Sequence, residues 1–243
     1  MAKKDTSERV HQREKIKEGL ALRDLQWSER QQEFIRIATD KDTRVMLISG
    51  PAGSSKTLLS VYCSLLLLSA KRTAEIIYVR SPVESSDSKI GFLPGDADEK
   101  LKYYNLPFAD KLDELLPRPQ IKMLWEQERI RIYPLSFVRG MSWRCTTVIL
   151  DEAQNCTSKE IITTLTRIGE FSRCFILADP DQSDLGHGKA GGFSKLQAVF
   201  ADEDSQANGI HSFQFTEDDI KRSAIVKFIV QKLKTVDLEN LVV

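Results

Sequence analysis

A short apolar run that ends in a glycine-containing turn constrains the fold of this chain most. The residues VMLIS at positions 45–49 are followed by GPAGSSKT at positions 50–57. This order fits the pattern G-x-x-x-x-G-K-[ST], in which a strand leads into a tight turn whose backbone N–H groups surround an anion, and a helix follows. The sequence therefore predicts a phosphate-binding loop made of Gly50, Pro51, Ala52, Gly53, Ser54, Ser55, Lys56 and Thr57.

The last residues of this loop carry specific chemistry. Lys56 is expected to reach the β- and γ-phosphates of a nucleotide, and Thr57 to hold Mg²⁺ through its hydroxyl. One position departs from the pattern, because Ser55 stands before the lysine where glycine is usual. A Cβ there crowds the loop or requires a backbone conformation that only glycine adopts without strain. We therefore expect this departure to slow hydrolysis more than it weakens nucleotide binding.

The composition describes a globular chain with balanced charge. Of its 243 residues, 41% are hydrophobic and 29% charged, which allows one large α/β domain or two small ones with a sizeable core. The formal net charge is zero, with 35 basic and 35 acidic residues. A nucleic-acid-binding role therefore requires a local basic face rather than a global excess of positive charge.

Cysteine and histidine are too scattered to form a zinc-binding pattern. The four cysteines (Cys63, Cys145, Cys156 and Cys174) contain no C-x-x-C pair, and the chain has three histidines. Buried thiols in a reducing compartment are the expected state. The N-terminus lacks the pattern of a secretory signal, and the longest uncharged run, residues 57–70, is too short to cross a bilayer. We therefore expect a cytoplasmic protein without membrane contact.

The chain divides into a charged arm and one larger domain. Residues 1–24 mix acidic and basic side chains with few apolar ones, which predicts a solvated helix or a disordered arm; its slight basic bias leaves contact with nucleic acid as an alternative. The domain of residues 25–243 begins with a helix for which Ser28 is the expected N-cap. Gln31, three residues on, completes a capping box.

Apolar runs that alternate with helical segments predict the architecture. We predict strands at residues 45–49, 76–80, 129–133, 146–152, 174–179 and 211–215. Thr216 is expected to cap a closing helix that runs to Lys234. This alternation indicates an α/β fold with a doubly wound, mostly parallel sheet and helices on both faces, whose ligands bind at the carboxyl ends of the strands. Residues 81–128, rich in proline and glycine, predict an insertion of loops and a helix or two that extends away from the sheet.

Acidic and amide side chains follow two of the predicted buried strands. Asp151 is suited to the coordination shell of Mg²⁺, and Glu152 to polarising an attacking water. The alternative is a strand that simply meets solvent at two acids and caps the next helix. Gln182 follows the next strand and can sense the γ-phosphate, although an ordinary Asp-Pro turn is the alternative there. Positive charge opposite Lys56 has four candidates: Arg80, Arg139, Arg167 and Arg222.

Four motifs together resemble the PhoH family, ATPases related to superfamily-one helicases. They are GPAG at 50–53, GFLPGD at 91–96, VILDEAQN at 148–155 and LTRIG at 165–169, and the match runs from about Trp27 to Gln231. The resemblance implies a RecA-like P-loop NTPase fold, ATP and Mg²⁺ as cofactors, ring-like homo-oligomers such as hexamers, and an RNA-directed activity.

The resemblance also assigns roles to individual residues. It implies that Gln32 reads adenine, that Gln182 occupies the sensor position, and that Arg222 is an arginine finger. This chain departs from the family pattern at Ser55, at Ala178, where glycine is usual, and at Ser81, where proline is usual. The last departure leaves a contact between Arg80 and a nucleic-acid strand in doubt.

Three functions are compatible with these features. The leading one is an ATPase that couples hydrolysis to binding or remodelling of single-stranded RNA or DNA, with the candidate contact residues Lys100, Lys102, Tyr103, Tyr104 and Phe108. The alternative for that cluster is a helix that packs its aromatic residues on the core. A second function is a nucleotide-switched assembly protein without a nucleic-acid ligand, which net neutrality and Ser55 favour. A small-molecule kinase is disfavoured, because no arginine set for an acceptor is visible.

Overall fold

The computed structural model describes residue 16 and residues 19–80, 97–180, 182 and 192–220; for residues 97–105 it describes the backbone alone. Six described strands form one sheet in the order β3-β2-β4-β5-β1-β6. Every neighbouring pair is parallel. The strands are β1 (Val45–Ser49), β2 (Glu75–Arg80), β3 (Ile130–Pro134), β4 (Thr146–Asp151), β5 (Arg173–Ala178) and β6 (Ile210–Gln214). The predicted parallel sheet is confirmed.

Helices cover both faces of this sheet. They are α1 (Glu29–Thr39), α2 (Lys56–Ser69), α3 (Ala97–Leu115), α4 (Arg118–Glu126), α5 (Ser158–Leu165), α6 (Gly192–Val199) and α7 (Glu203–Ala207). Alternate residues of a strand point to opposite faces, so Met46 and Ile48 belong to the core under α1–α4, whereas Leu47 packs with α5 and α6. The doubly wound arrangement predicted from the sequence is therefore confirmed.

The start of α1 follows the predicted local chemistry. The Ser28 hydroxyl accepts from the N–H of Gln31, and the Gln31 side chain accepts from the N–H of Ser28, which makes a reciprocal capping box. Phe34 and Ala38 are buried on the inner face of the helix. These contacts satisfy N–H groups that the first turn otherwise leaves unpaired.

The prediction of a solvated N-terminal arm is wrong for the residues that the structure describes there. Ile16 is buried, and Leu20 and Leu22 pack against the core under α2–α4. Backbone contacts fix this segment, because the N–H of Arg23 donates to Leu115 O at 2.9 Å and the N–H of Leu20 donates to the Ser69 hydroxyl at 3.0 Å. A few apolar side chains among many charges are enough to hold an extended segment on the core.

The described part of the segment 81–128 contains two helices, as predicted, but their position differs from the prediction. Rather than extending away, α3 and α4 pack on the sheet, and Phe108 stacks on Tyr78 with ring centroids 4.8 Å apart. Phe108 is fully buried, so it is unavailable to a nucleic-acid base. The side chains of the other four residues in that candidate cluster, and the motif at 91–96, lie outside the described residues.

Thr216 forms a capping box with Asp219 around a short 3₁₀ turn. The closing helix predicted beyond it lies outside the described residues. Within the described ranges, no helix has the length and apolar character needed to cross a bilayer.

Candidate nucleotide-binding site

The predicted phosphate loop begins directly after β1 at Gly50, a position that has no room for a side chain. Gly50 has φ 155°, and a Cβ built on it would lie 2.7 Å from Cβ of Phe215. Phe215 is held there because its N–H donates to Ser49 O at 2.8 Å, directly after β6. The close approach of the two chain segments therefore shapes the first turn of the loop.

Ser55 is strained in the way its sequence position suggested. Its φ of 66° and ψ of 20° place it in the left-handed region, where it caps α2 without a side-chain hydrogen bond. For a residue with a Cβ, this conformation costs about 1–2 kcal/mol. The loop keeps the geometry that glycine normally supplies, and the strain at Ser55 lowers the stability of the folded chain.

The Lys56 ammonium lies across the loop. Its Nζ donates to Gly50 O at 2.6 Å and to Pro51 O at 2.9 Å, and the Ser54 hydroxyl donates to the same Pro51 O at 2.8 Å. Two carbonyls thus position the positive charge at the centre of the turn. A phosphate oxygen approaching the loop would meet this charge and the N-terminal end of α2.

Asp151 connects the loop to the middle of the sheet. Its Oδ2 accepts from the Thr57 hydroxyl at 3.0 Å and from the Tyr78 hydroxyl at 2.7 Å, and its Oδ1 accepts from the N–H of Glu152 at 3.0 Å. Burial raises the pKa of this carboxyl above its usual range, although the hydrogen bond from Tyr78 partly opposes that shift. Burial, and then the Asp151 charge, raises the pKa of Tyr78 well above its ordinary value.

This oxygen pair fits Mg²⁺. The Thr57 hydroxyl and the Asp151 carboxylate are 3.0 Å apart at the carboxyl edge of the sheet, beside the lysine expected to contact phosphate. Mg²⁺ prefers oxygen ligands and is usually bound through one or two protein oxygens together with substrate phosphates and water. The Tyr78 hydroxyl, on the neighbouring strand β2, orients the Asp151 carboxylate. Sequence reasoning missed Tyr78, because a tyrosine within a buried apolar strand carries no local sign of a role.

Glu152 is held from two sides in an uncommon backbone conformation. Its φ is 57°, in the left-handed region, which for a residue other than glycine often marks a functional site. Arg80 Nη2 lies 3.6 Å from Glu152 Oε1, and the Gln154 amide donates to Oε2 at 2.7 Å. The carbonyl of the Gln154 amide accepts from the N–H of Asp179 at 3.0 Å, which connects the ends of β4 and β5. Sequence reasoning assigned no role to Gln154, although it lies in the DEAQN motif.

A cleft of about 490 Å³ brings most of the predicted residues together. Gly53, Lys56, Asp151, Glu152 and Gln182 are among the residues that line it. Gln182 is exposed at its rim, and the N–H of Gln182 donates to Asp179 O at 3.0 Å.

Other predicted residues lie elsewhere. Gln32, exposed in the first turn of α1, donates to Trp27 O at 3.1 Å and does not line the cleft. Its neighbour Arg30 donates to Gln214 O, which places this helix end at the carboxyl edge of β6. Arg139 and Arg167 do not line the cleft either, and Arg222 lies outside the described residues.

Comparison with known proteins agrees with this geometry. The family model described as PhoH-like protein matches residues 26–234. A PhoH-like protein of Bacillus subtilis (strain 168) is 34% identical over 201 residues, which cover 83% of this chain and 61% of that protein. Protein PhoH of Escherichia coli (strain K12) is 32% identical over 200 residues, covering 82% of this chain and 54% of that protein.

A solved structure supports the fold independently. The large terminase from a thermophilic bacteriophage superimposes with a TM-score of 0.50 over 86% of this chain and 50% of that one, at 11% sequence identity. This likeness confirms the α/β P-loop NTPase architecture. The chain spans about 60% of the length of the curated relatives it matches first. The family model covers most of the chain and the relatives are more than 30% identical to it, so this chain belongs to the PhoH family.

Proposed function

We propose that this protein hydrolyses ATP with Mg²⁺ and couples its nucleotide state to the binding or remodelling of single-stranded RNA or DNA. The observation that carries the hydrolase assignment is the 3.0 Å contact between Thr57, at the end of the phosphate loop, and Asp151, at the end of β4. It joins the two halves of a phosphate- and metal-binding site, and Glu152 lies beside it in the same cleft. Family membership supports the assignment.

The reaction proposed is in-line attack of water on the γ-phosphate. Glu152 orients the water and accepts its proton, and the contacts from Arg80 and Gln154 hold its carboxylate in place. Lys56 neutralises charge on the β- and γ-phosphates. When bound by Thr57 and Asp151, Mg²⁺ supplies further positive charge to the phosphate oxygens.

The remaining roles concern recognition of the nucleotide and its state. Gln182 senses the γ-phosphate from the rim of the cleft, and Gln32 reads the adenine. Arg222 completes the charge around the transferred group, within its own subunit or across an interface of a ring-like homo-oligomer. An arginine in this role contributes about 10³–10⁵ in rate where enzymes use one.

A second candidate function is a nucleotide-switched assembly protein without a nucleic-acid ligand. The strained Ser55 favours it, because a loop that binds ATP but hydrolyses it slowly suits a switch. This alternative predicts that ATP changes the sedimentation coefficient while RNA leaves turnover unchanged.

The test of hydrolysis is Glu152→Gln. Without the carboxylate, turnover should fall by about 10²–10⁴, the usual contribution of a general base, while binding of a fluorescent ATP analogue is retained. Steady-state phosphate release measures the first and fluorescence titration the second. Glu126→Gln is the matched control, since Glu126 lies on α4 with 65% of its side chain exposed.

Two results would contradict the proposal. Near-normal turnover of Glu152→Gln, well above that of Lys56→Ala, removes Glu152 from the reaction, and wild-type turnover no higher than that of Lys56→Ala removes hydrolysis itself. Turnover that ignores single-stranded RNA and DNA favours the assembly switch. Turnover stimulated by one polymer supports the coupling and identifies which polymer is preferred.

A further inference from the structure

A second cleft, of about 1030 Å³, opens at the opposite edge of the sheet, where the parallel strands begin. Most of its lining comes from short segments that precede or start strands: Lys41 and Arg44 before β1, residues 70–75 before and at the start of β2, 141–145 before β4, and Phe171 and Arg173 at the start of β5. Ile77, Arg131 and Tyr133 extend the cleft along β2 and β3. It shares no lining residue with the nucleotide cleft.

The lining of this amino-edge cleft is strongly cationic in a chain of zero net charge. Its carboxylate, Glu75, lies 3.7 Å from Arg131 and is offset by it. Five further cations lining the cleft have no ion pair with any described residue: Lys41, Arg44, Lys71, Arg72 and Arg173. Like charges placed together repel, so an anion bound among them would stabilise this arrangement.

Arg173 is a buried arginine in the lining of the cleft. It is 4% exposed, and its Nη2 donates to Asp40 O and Lys41 O, each at 2.9 Å. Its Nε and Nη1 are also buried, and neither has a hydrogen-bond partner among the described residues. Burial, and then the neighbouring Arg72 and Arg44, lowers the pKa of Arg173 to about 10, although Asp40 and Asp42 partly oppose that shift, and the guanidinium stays charged at neutral pH. Buried N–H donors that lack partners are rare, because each one costs free energy.

An exposed aromatic residue and local strain mark the same cleft. Phe171 is 57% exposed and has φ 59°, a conformation that bulky residues seldom adopt. Three of the six described non-glycine residues with positive φ line this cleft, namely Lys71, Cys145 and Phe171. Lys71 follows the C-cap of α2, where a left-handed residue is usual, so the strain that needs another explanation is at Cys145 and Phe171. Ser55 and Glu152, two of the others, belong to the nucleotide cleft. Strain of this kind concentrates where structure serves binding or catalysis.

We propose that the amino-edge cleft binds the phosphate backbone of single-stranded nucleic acid. This inference deepens the nucleic-acid half of the proposed function and rests on it. The cations follow successive phosphates, Arg173 donates to one phosphate from inside the cleft, and Phe171 stacks on an unpaired base. Cations combined with an exposed aromatic face suit a single strand, because a duplex presents no free base to the ring.

The test reverses the exposed charges and leaves Arg173 intact. The variant is Lys41→Glu/Arg44→Glu/Lys71→Glu, and the probe is a fluorescein-labelled single-stranded RNA of about 16 nucleotides, with a DNA of the same length as a second arm. Fluorescence anisotropy with the full chain should show binding weakened by about 100-fold or more at about 0.1 M salt. The slope of log K against log salt should fall by about two, since each phosphate contact on a single strand contributes about 0.7.

The matched control changes the same net charge elsewhere. Arg36→Glu/Arg118→Glu/Lys122→Glu alters exposed residues of α1 and α4, which do not line the cleft. This control should lose less than about tenfold in affinity, the general effect of added negative charge. Both variants should retain the ATP turnover of the wild type measured without RNA, which also shows that they fold.

A second variant covers the case in which the triple reversal fails to fold. Phe171→Ala keeps every charge and should weaken RNA binding about tenfold by loss of stacking, with the salt slope unchanged.

The inference is overturned if the folded triple variant binds RNA as the control does, or if Phe171→Ala, used in its place, binds RNA as the wild type does. It is also overturned if the wild-type chain binds neither RNA nor DNA at low salt. That second result removes the nucleic-acid half of the proposed function but leaves ATP hydrolysis, which Glu152→Gln tests separately.

Discussion

The two clefts lie at opposite edges of one sheet and differ in the contacts that their charged side chains make. At the carboxyl edge each ionic group has neighbours that hold it: two carbonyls for Lys56, two hydroxyls for Asp151, and Arg80 with Gln154 for Glu152. At the amino edge five cations lie together without ion pairs to described residues, although two backbone carbonyls hold Arg173. The first arrangement suits chemistry, which needs atoms in fixed positions. The second suits the proposed attraction of a polyanion, which needs excess positive charge.

The clefts are alike in backbone strain, which appears at Ser55 and Glu152 in one and at Lys71, Cys145 and Phe171 in the other. Strain alone therefore does not distinguish a catalytic cleft from a binding cleft. The clefts are distinguished instead by whether their charged side chains are paired with polar or charged neighbours. The variants below test the two clefts separately.

The largest difference between the effect on ATP turnover and the effect on RNA affinity is expected from Lys56→Ala. Loss of the ammonium at the centre of the loop should reduce ATP turnover by at least about 100-fold, the usual cost of losing one donor to the transition state, while RNA affinity measured without nucleotide is unchanged. Phosphate release and fluorescence anisotropy on one preparation check both. The amino-edge triple reversal should show the opposite pattern. If Lys56→Ala weakened RNA binding in the absence of nucleotide, the two clefts would not be independent.

A smaller effect is expected from glycine at matched strained positions. Ser55 and Lys71 have nearly the same φ, 66° and 58°. Ser55→Gly and Lys71→Gly should each raise the free energy of unfolding by about 0.5–1 kcal/mol, because relief of left-handed strain exceeds the added entropy of the unfolded chain. Chemical denaturation measures this gain.

The two glycine variants should differ in function. Ser55→Gly is expected to increase ATP turnover several-fold and leave RNA binding unchanged, whereas Lys71→Gly should weaken RNA binding and leave turnover unchanged. Equal turnover of wild type and Ser55→Gly would show that the serine does not slow hydrolysis.

The smallest expected effect is on the alkylation rate of Cys145. This residue is partly exposed and lines the amino-edge cleft, whereas Cys63, Cys156 and Cys174 are buried. Burial raises the pKa of Cys174 to about 12 and that of Cys63 above its usual range, so these thiols serve as unreactive internal references. Single-stranded RNA should slow alkylation of Cys145 a few-fold, and ATP with Mg²⁺ should not. Mass spectrometry of the labelled peptides reads both, and equal protection by ATP would contradict the separation of the clefts.

Local signals accounted for much of the fold and for the carboxyl-edge cleft. The capping box at Ser28, the apolar runs of the strands and the turn between β1 and α2 each depend on residues close in sequence, and each was predicted correctly. Phosphate binding by residues 50–57 stays a prediction. The conformation of Ser55 was also anticipated, because its position in the pattern requires a left-handed turn.

Contacts between distant segments could not be predicted in the same way. Packing of Phe108 on the core was an expected alternative, but its partner Tyr78 was not predicted. Burial of Ile16, which belongs to the charged N-terminal segment, was not expected either. In each case burial of a few apolar side chains outweighed the polar character of the surrounding sequence. The Tyr78 hydroxyl likewise reaches Asp151 only because β2 and β4 are neighbours in the sheet.

The sequence by itself determined the glycine-containing turn between β1 and α2, the parallel α/β architecture and the acids at the strand ends, because turn geometry and apolar periodicity are properties of neighbouring residues. Only the tertiary structure decided the amino-edge cleft. Its cations are distributed from Lys41 to Arg173 with no local pattern, and parallel pairing places them together because all the strands begin at one edge.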